Sequence, residues 1–193
     1  MPELPLEIWQ DRIENELTSL DNLNIIEDGS IARYENNVEF ILNIKALGFT
    51  TKPDGKSYDL VPIRNHRVSI KINRTFPYPG GIDFSWLSHI FHPNIHPVEL
   101  SLKHKIIGTG YICLNVLKKW SRLHDLDTTV KALEMLVENP NPEDPLNYDI
   151  CLEATEYFKK NNMATLRKKY SEEIKDLEEE EEEEDDEIII IED

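Results

Sequence analysis

The chain has 193 residues, of which 39% are hydrophobic, a composition that supports a packed domain rather than a disordered chain. The formal net charge is −17, but residues 171–193 hold 15 acidic side chains against one lysine, so the rest is nearly neutral. Neither part has the basic clusters that bind phosphate backbones, which argues against a nucleic-acid partner. No apolar run is long enough to span a membrane and no signal-peptide pattern opens the chain, so a cytoplasmic protein is expected, or also a nuclear one in a eukaryote.

An amphipathic helix is predicted first, because Leu6, Trp9, Ile13, Leu17 and Leu20 recur at steps of three and four. Alternating apolar residues on both sides of Asn36–Asn37 then predict a strand pair. Two further strands are predicted, one after the turn at residues 52–56 and one after the Pro- and Gly-rich break at residues 77–81. This half should form a four-stranded antiparallel meander.

Three helices are predicted in the second half of the chain. The first has an apolar face from Leu126 to Val137, with Asp127 or Thr128 available as its cap, and Asn139–Pro140 ends it. Two more follow, joined near Asn161–Asn162. Strands that are segregated from flanking helices indicate the α+β class.

The two parts of the chain have different compositions. Residues 1–170 are predicted to form one domain, and residues 171–193 the end of a helix and an acidic tail. Glu178–Glu187 is an unbroken acidic run, whose mutual repulsion predicts disorder. The chain ends with an isoleucine-rich motif at Ile188, Ile189, Ile190 and Ile191.

The most informative stretch lies between the predicted sheet and the later helices. It contains His92-Pro93-Asn94-Ile95, the run Ile112-Cys113-Leu114-Asn115-Val116-Leu117, Trp120, and the proline-rich turn at residues 140–147. In this order the four pieces resemble the ubiquitin-conjugating enzymes, and the resemblance covers roughly residues 6–170. It implies the fold of that family and a carrier of ubiquitin or a ubiquitin-like modifier.

The resemblance implies a role for each of three residues. Cys113 would carry the modifier as a thioester, because a thiolate is a good acyl acceptor and the thioester stays reactive towards amines. Asn94 would either stabilise the developing oxyanion or prop the active-site loop. Asp144 would orient an incoming lysine or help to take its proton. Support of the active-site loop is expected from His92, Pro93, His96 and Asn115, and no metal or organic cofactor is implied.

The resemblance also implies partners: an activating enzyme, a ligase and an acceptor protein. The first helix and the loop at residues 76–79 face such partners in the family, so Trp9 and Tyr78 are the candidate contacts. Ile188–Ile191 with flanking acids resembles a SUMO-interacting motif, which adds a strand to its partner's sheet. An insertion between His96 and Thr109 separates Asn94 from Cys113 by more residues than is usual in the family. It could gate the thiol or bind a partner.

Three alternatives remain open from the residues. The chain could be a catalytically silent adaptor of the same fold that binds a modifier through its tail. It could be a cysteine hydrolase, which would need a base such as His92 beside Cys113. His89, His92, His96 and His104 with Cys113 could also hold zinc, although their spacing fits no common zinc motif. Cys151 is expected to be a core or surface thiol without a role.

Overall fold

A computed structural model describes residues 3–52, 59–101, 106–113 and 125–191, with side chains only to residue 181 in the last helix. The helices of this part are α1 (Leu6–Asp21), α2 (Leu126–Glu138), α3 (Asp149–Lys160), α4 (Met163–Lys169) and α5 (Ser171–Ile191). The strands are β1 (Ala32–Arg33), β2 (Asn37–Thr51), β3 (Leu60–Asn73), β4 (Ile82–Trp86), β5 (Ile95–His96) and β6 (Tyr111–Ile112).

Strands β1 to β4 form an antiparallel sheet in sequence order, so the predicted meander and the α+β class are confirmed. Strands β2 and β3 pair along their lengths, from Asn37 opposite Asn73 to Thr51 opposite Leu60. Strand β4 pairs with β3 over its five residues. The turn predicted at residues 52–56 lies mostly outside the described residues.

One face of this sheet carries the main core. Side chains alternate along a strand, so every second residue of β2 and β3 points to the same face. Those side chains pack against α1 and α2, whose apolar faces have the predicted periods. The buried set includes Trp9, Ile13, Phe40, Leu42, Ile70, Trp86, Val130 and Leu133.

A second core lies near the far end of β2. A β-bulge between Lys45 and Gly48 adds one residue to β2, and beyond it successive residues are buried on both faces. Leu47 and Phe49 then pack with Phe158 of α3 and Leu166 of α4. The later helices are therefore attached to the sheet by a cluster separate from the one that α1 and α2 cover.

Four described helices follow residue 125, where three were predicted. The apolar period of the expected last helix continues, but the helix breaks at Tyr170, which leaves the helical conformation and divides it into α4 and α5. Helix α2 also begins differently, because the Asp125 carboxylate accepts from the Thr128 amide. None of the helices in the described ranges is long and apolar enough to cross a membrane.

The acidic tail was expected to be disordered, whereas helix α5 continues to Ile191. Two ion pairs offset the repulsion at its start, since Arg64 of β3 contacts Glu178 at 3.1 Å and Glu181 at 2.9 Å. Glutamate is also a good helix former. Repulsion alone predicts disorder, but the sheet places Arg64 beside this helix.

The insertion forms a hairpin along the edge of β4. Its arms were not predicted as structure, and residues 102–105 lie outside the described ranges. The amide of Val98 donates to the Trp86 carbonyl at 2.8 Å, and the Trp86 amide donates to the Gly110 carbonyl at 2.9 Å. Gly110 has φ +72°, and a Cβ there would lie 2.0 Å from the Ser85 hydroxyl oxygen. The docked hairpin therefore requires glycine at this position.

Substituting Gly110 with alanine should lower the free energy of unfolding through both backbone strain and this clash. The matched control is Gly29→Ala, because Gly29 has φ +68° but has nothing within 4 Å of an added Cβ. We expect about 1 kcal/mol from the left-handed backbone in each variant, and about 1–3 kcal/mol more for Gly110→Ala from overpacking. Urea unfolding measures both, and equal losses would contradict the docked hairpin.

Candidate active site

The candidate nucleophile Cys113 follows directly after β6. Strand β6 pairs with β5, with Ile112 opposite Ile95, and the Cys113 amide then donates to the Asn94 carbonyl at 2.8 Å. The Cys113 side chain is 9% exposed, at the limit of burial. The two residues that the sequence separates by the inserted hairpin are thus adjacent in space.

Asn94 is buried, and its side-chain amide is fully engaged by the neighbouring loop. The Nδ2 group donates to the Asn141 carbonyl at 3.0 Å and to the Asp144 carbonyl at 2.9 Å, and Oδ1 accepts from the Asn141 amide at 2.7 Å. A side-chain amide has two N–H donors, and both are used. This loop, residues 139–147, will be called the acceptor loop.

His92 and Pro93 fix the backbone around Asn94. The His92 ring is buried, and its Nδ1 accepts from the Asn94 amide at 3.1 Å. Burial lowers the pKa of His92 to about 3, so the ring is neutral near pH 7 and can accept this bond. The Pro93 carbonyl accepts from the Leu146 amide at 2.9 Å, which gives the acceptor loop another anchor.

Asp144 lies on the exposed side of the acceptor loop. The Asp144 main-chain carbonyl accepts from the Asn94 side chain, and the Asn94 main-chain carbonyl accepts from the Cys113 amide. Asn94 therefore connects the backbone of Asp144 to that of Cys113. Asn141 stabilises the same loop from within, because its Oδ1 accepts from the Glu143 amide at 3.1 Å. The structure therefore brings the three predicted catalytic residues into one hydrogen-bonded unit.

Two residues at this site, Thr109 and Tyr148, were not identified from the sequence. Thr109 contacts the His96 ring, with its hydroxyl 2.8 Å from Nδ1. Tyr148 stacks on the face of the same imidazole ring, with ring centroids 3.8 Å apart and planes within 4°. Nothing in the local sequence pattern indicates the stack, because 51 positions separate His96 from Tyr148 along the chain.

Cys151 has a different environment from Cys113. It is completely buried in α3, and its thiol donates to the Ile95 carbonyl at 3.3 Å. Burial raises the pKa of Cys151 to about 12, so almost none of it is thiolate near pH 7. Cys151 is a core residue and is unsuited to be a nucleophile.

The predicted partner contacts are only partly available. Tyr78 is exposed and lines a groove of about 560 Å³ together with Leu4, Ile8 and Arg12. Trp9 is 1% exposed, and its Nε1 donates to the Asn73 carbonyl, so the prediction that it contacts a partner is wrong. Its position on the apolar stripe of α1 turns it towards the core, whereas Ile8 faces the groove.

Other predicted residues cannot be placed as side chains. Asn115 and Trp120 lie outside the described residues. The backbone of Ile188–Ile191 is helical in α5, and the binding of a SUMO-interacting motif by strand addition would require this end of the helix to unwind.

The histidines considered for zinc make separate protein contacts. His89 is hydrogen-bonded to the Thr50 hydroxyl, His92 to the Asn94 amide and His96 to Thr109. Among the described residues no three His, Cys, Asp or Glu side chains are grouped as a metal site requires. His104 falls in the gap between the described ranges.

The family model described as ubiquitin-conjugating enzyme matches residues 42–170 of this chain. This match covers more than half of the sequence, and it includes Asn94, Cys113 and Asp144. The chain belongs to the ubiquitin-conjugating enzyme family.

Individual relatives agree with this family. The chain is 29% identical to ubiquitin-conjugating enzyme E2 2 of Aspergillus fumigatus over 99 residues, which cover 51% of each chain. It is 32% identical to the NEDD8-conjugating enzyme Ubc12 of Dictyostelium discoideum over 109 residues, 54% of this chain and 42% of that one. The chain thus matches about half the length of these relatives.

A solved structure supports the fold. The structure from Plasmodium yoelii that is provisionally assigned as a ubiquitin conjugating enzyme has a TM-score of 0.50 and 21% identity. The match covers 87% of this chain and 92% of that one.

The two cysteines should react very differently with iodoacetamide. Alkylation requires an accessible thiolate. Cys151 is 0% exposed with a pKa raised to about 12, whereas Cys113 keeps 9% exposure, so we expect Cys151 to be labelled about 100-fold more slowly in the folded protein. Peptide mass mapping over a time course measures both rates, and both sites should react in denaturant. Comparable labelling of the two sites in folded protein would contradict the buried placement of Cys151.

Proposed function

We propose that this chain accepts ubiquitin or a ubiquitin-like modifier as a thioester on Cys113 and transfers it to a lysine amine. The observation that carries the proposal is the unit joining Cys113, Asn94 and the acceptor loop in a chain that belongs to the conjugating-enzyme family. The activating enzyme would supply the modifier at the expense of ATP. A ligase and an acceptor protein are the further partners.

Loading is an exchange between thioesters. The Cys113 thiolate attacks the carbonyl carbon of the modifier's C-terminus, and the thiolate of the activating enzyme leaves. An uncharged amine later attacks the new thioester, the Cys113 thiolate leaves, and an isopeptide bond forms. The amine nitrogen then loses a proton, so that atoms and charges balance.

The geometry around Cys113 suits a carrier better than a hydrolase. Within the described residues no histidine ring is hydrogen-bonded to Cys113, because His92 accepts from the Asn94 amide and His96 contacts Thr109. A hydrolase needs a base oriented on its nucleophile, and the same base would activate water against the stored thioester. The separate contacts of His92 and His96 in the described residues favour retention of the modifier until an amine arrives.

We assign Asn94 the role of propping the acceptor loop. Both of its N–H donors bind loop carbonyls, at 3.0 Å and 2.9 Å, so stabilising an oxyanion would require one of these bonds to break. These bonds are partly buried, so a carbonyl that lost its donor would cost at most about 1–3 kcal/mol. Holding the loop is the role for which the side chain is already arranged.

Asp144 would act on the incoming lysine from the exposed side of the acceptor loop. Its carboxylate can orient the ammonium group and then accept a proton as the amine reacts. The same charge favours the unreactive ammonium form, so burial of the lysine by the acceptor must oppose this effect. Because Asn94 holds the Asp144 backbone in place, the carboxylate would meet each incoming lysine in the same position.

The partner surface proposed here is the groove between α1 and Tyr78. It combines the exposed apolar side chains of Ile8 and Tyr78 with the charged groups of Asp11 and Arg12. Such a mixed surface is typical of transient protein contacts. The relatives named above include one named for ubiquitin and one for NEDD8, so a panel of modifiers has to be tested.

Charging should occur on Cys113 and should be sensitive to thiol reductant. The full chain is incubated with ATP and with matched pairs of activating enzyme and modifier, and the mobility shift is measured with and without reductant. Cys113→Ala should abolish the adduct, and Cys113→Ser should give either no adduct or a reductant-resistant ester. Cys151→Ala is the matched control and should charge normally, because Cys151 is buried away from solvent.

Charging that survives Cys113→Ala would contradict the assignment of the nucleophile. Absence of an adduct with every pair, in folded protein, would support a catalytically silent adaptor instead. Cleavage of the modifier without a thioester would support a hydrolase.

A further inference from the structure

The described arms of the inserted hairpin are hydrogen-bonded to the edge of the four-stranded sheet. Its first arm bonds to the end of β4, where the Glu99 amide donates to the Leu87 carbonyl at 3.0 Å. Its second arm bonds to the first, through the Gly108 amide and the Val98 carbonyl at 2.7 Å. These backbone hydrogen bonds fix the hairpin relative to β4. The residues at its base are therefore held in a fixed position beside the active site.

The base of the hairpin is closed by Thr109 and His96. The Thr109 amide donates to His96 Nδ1 at 3.3 Å, and the Thr109 hydroxyl lies 2.8 Å from the same nitrogen. That hydroxyl also accepts from the Tyr111 amide at 3.2 Å. The His96 ring, on β5, is therefore oriented by Thr109 of the inserted segment. Thr109 precedes β6, the strand that leads to Cys113.

The same ring is stacked on Tyr148. The centroids lie 3.8 Å apart and the planes differ by 4°, a face-to-face contact between two planar rings that restricts both. Tyr148 is the residue before α3, and its carbonyl accepts from the Leu152 amide at 2.9 Å. It therefore joins the acceptor loop to the start of a packed helix.

The acceptor loop is thus held at two sides by different means. On one side Asn94 binds the Asn141 and Asp144 carbonyls. On the other side Tyr148 stacks on His96, whose ring the hairpin orients through Thr109. Asp144 belongs to the first attachment, and the Leu146 amide, which donates to the Pro93 carbonyl, lies between it and Tyr148 along the chain. A change at either attachment should therefore move the Asp144 carboxylate relative to Cys113 through this short segment.

We propose that Tyr148 is a positioning residue for amine transfer, which acts through its stack on His96 and connects the inserted hairpin to the loop that carries Asp144. The inference rests on the proposed function. It gives the insertion a role within the active site, since Thr109, the last residue of the insertion, orients the histidine. Tyr148 itself touches neither the thioester nor the amine in this account.

The test separates loading from transfer. Each full-length variant is charged, the activating enzyme is stopped, and discharge to free lysine is followed as a single turnover. Tyr148→Leu removes the ring and should slow discharge about 10-fold while loading changes less than about twofold, because a small displacement at a reacting centre is costly in rate. Tyr148→Phe keeps the stacked ring and should discharge at close to the wild-type rate.

A second variant keeps the test decisive if Tyr148→Leu does not fold. Thr109 is exposed, so Thr109→Val should fold, and it removes the hydroxyl beside His96. The variant also loses the bond from the Tyr111 amide to this hydroxyl. Discharge should fall about threefold, as expected if the hydroxyl bond to His96 is the one that affects transfer. Tyr34→Leu, at an exposed tyrosine before β2, is the control and should change neither step.

The outcomes are distinguishable. Slower discharge with normal loading, restored by phenylalanine, supports the proposal. Normal discharge in both Tyr148→Leu and Thr109→Val, or equal losses of loading and discharge, would overturn it and leave the thioester function standing. A wild-type chain that never forms a thioester would overturn the proposed function and this inference together.

Discussion

The side-chain amide of Asn94 is the group on which the arrangement of this site depends. This side-chain amide is buried and makes three hydrogen bonds to the acceptor loop. The main-chain carbonyl of Asn94 accepts from the Cys113 amide. A buried amide without hydrogen-bond partners lowers the stability of the fold. The acceptor loop and Cys113, directly after β6, both supply such partners to Asn94. The proposed chemistry follows from this constraint, because a thioester carrier depends on position more than on an activating base.

The hairpin shows how the fold accepts extra residues beside its reactive thiol. The edge of β4 has unpaired backbone groups, and the arms of the insertion satisfy them. Cys113 and Asn94 remain adjacent because β5 and β6 close the base of the hairpin. An insertion that could have displaced the thiol is instead hydrogen-bonded to the edge of the sheet and contributes Thr109 to the site.

The sequence predicted the elements whose periodicity is local. The stripe from Leu6 to Leu20 and the alternation from Val38 to Ile44 give α1 and β2 directly, because these patterns depend on residues a few positions apart. The motif order also brought Cys113, Asn94 and Asp144 together before any geometry was known. Their chemical roles stay proposals.

Features that depend on distant contacts were not predictable in the same way. The strands β5 and β6 have two residues each, too few to show a period, and the stack of His96 on Tyr148 joins distant parts of the chain. The part of helix α5 from Glu178 onward was expected to be disordered, because Arg64, which pairs with its glutamates, lies more than a hundred positions earlier. Trp9 was misread although its stripe on α1 already indicated the core.

Amide hydrogen exchange tests most directly whether Asn94 holds the acceptor loop in position. The Asn141 amide donates to Asn94 Oδ1 at 2.7 Å, so we expect it to exchange about 10-fold faster in Asn94→Ala than in the wild type. The Leu166 amide, inside the second core, serves as an internal reference and should be unchanged. Unaltered protection of Asn141 in a folded Asn94→Ala variant would contradict this role of Asn94.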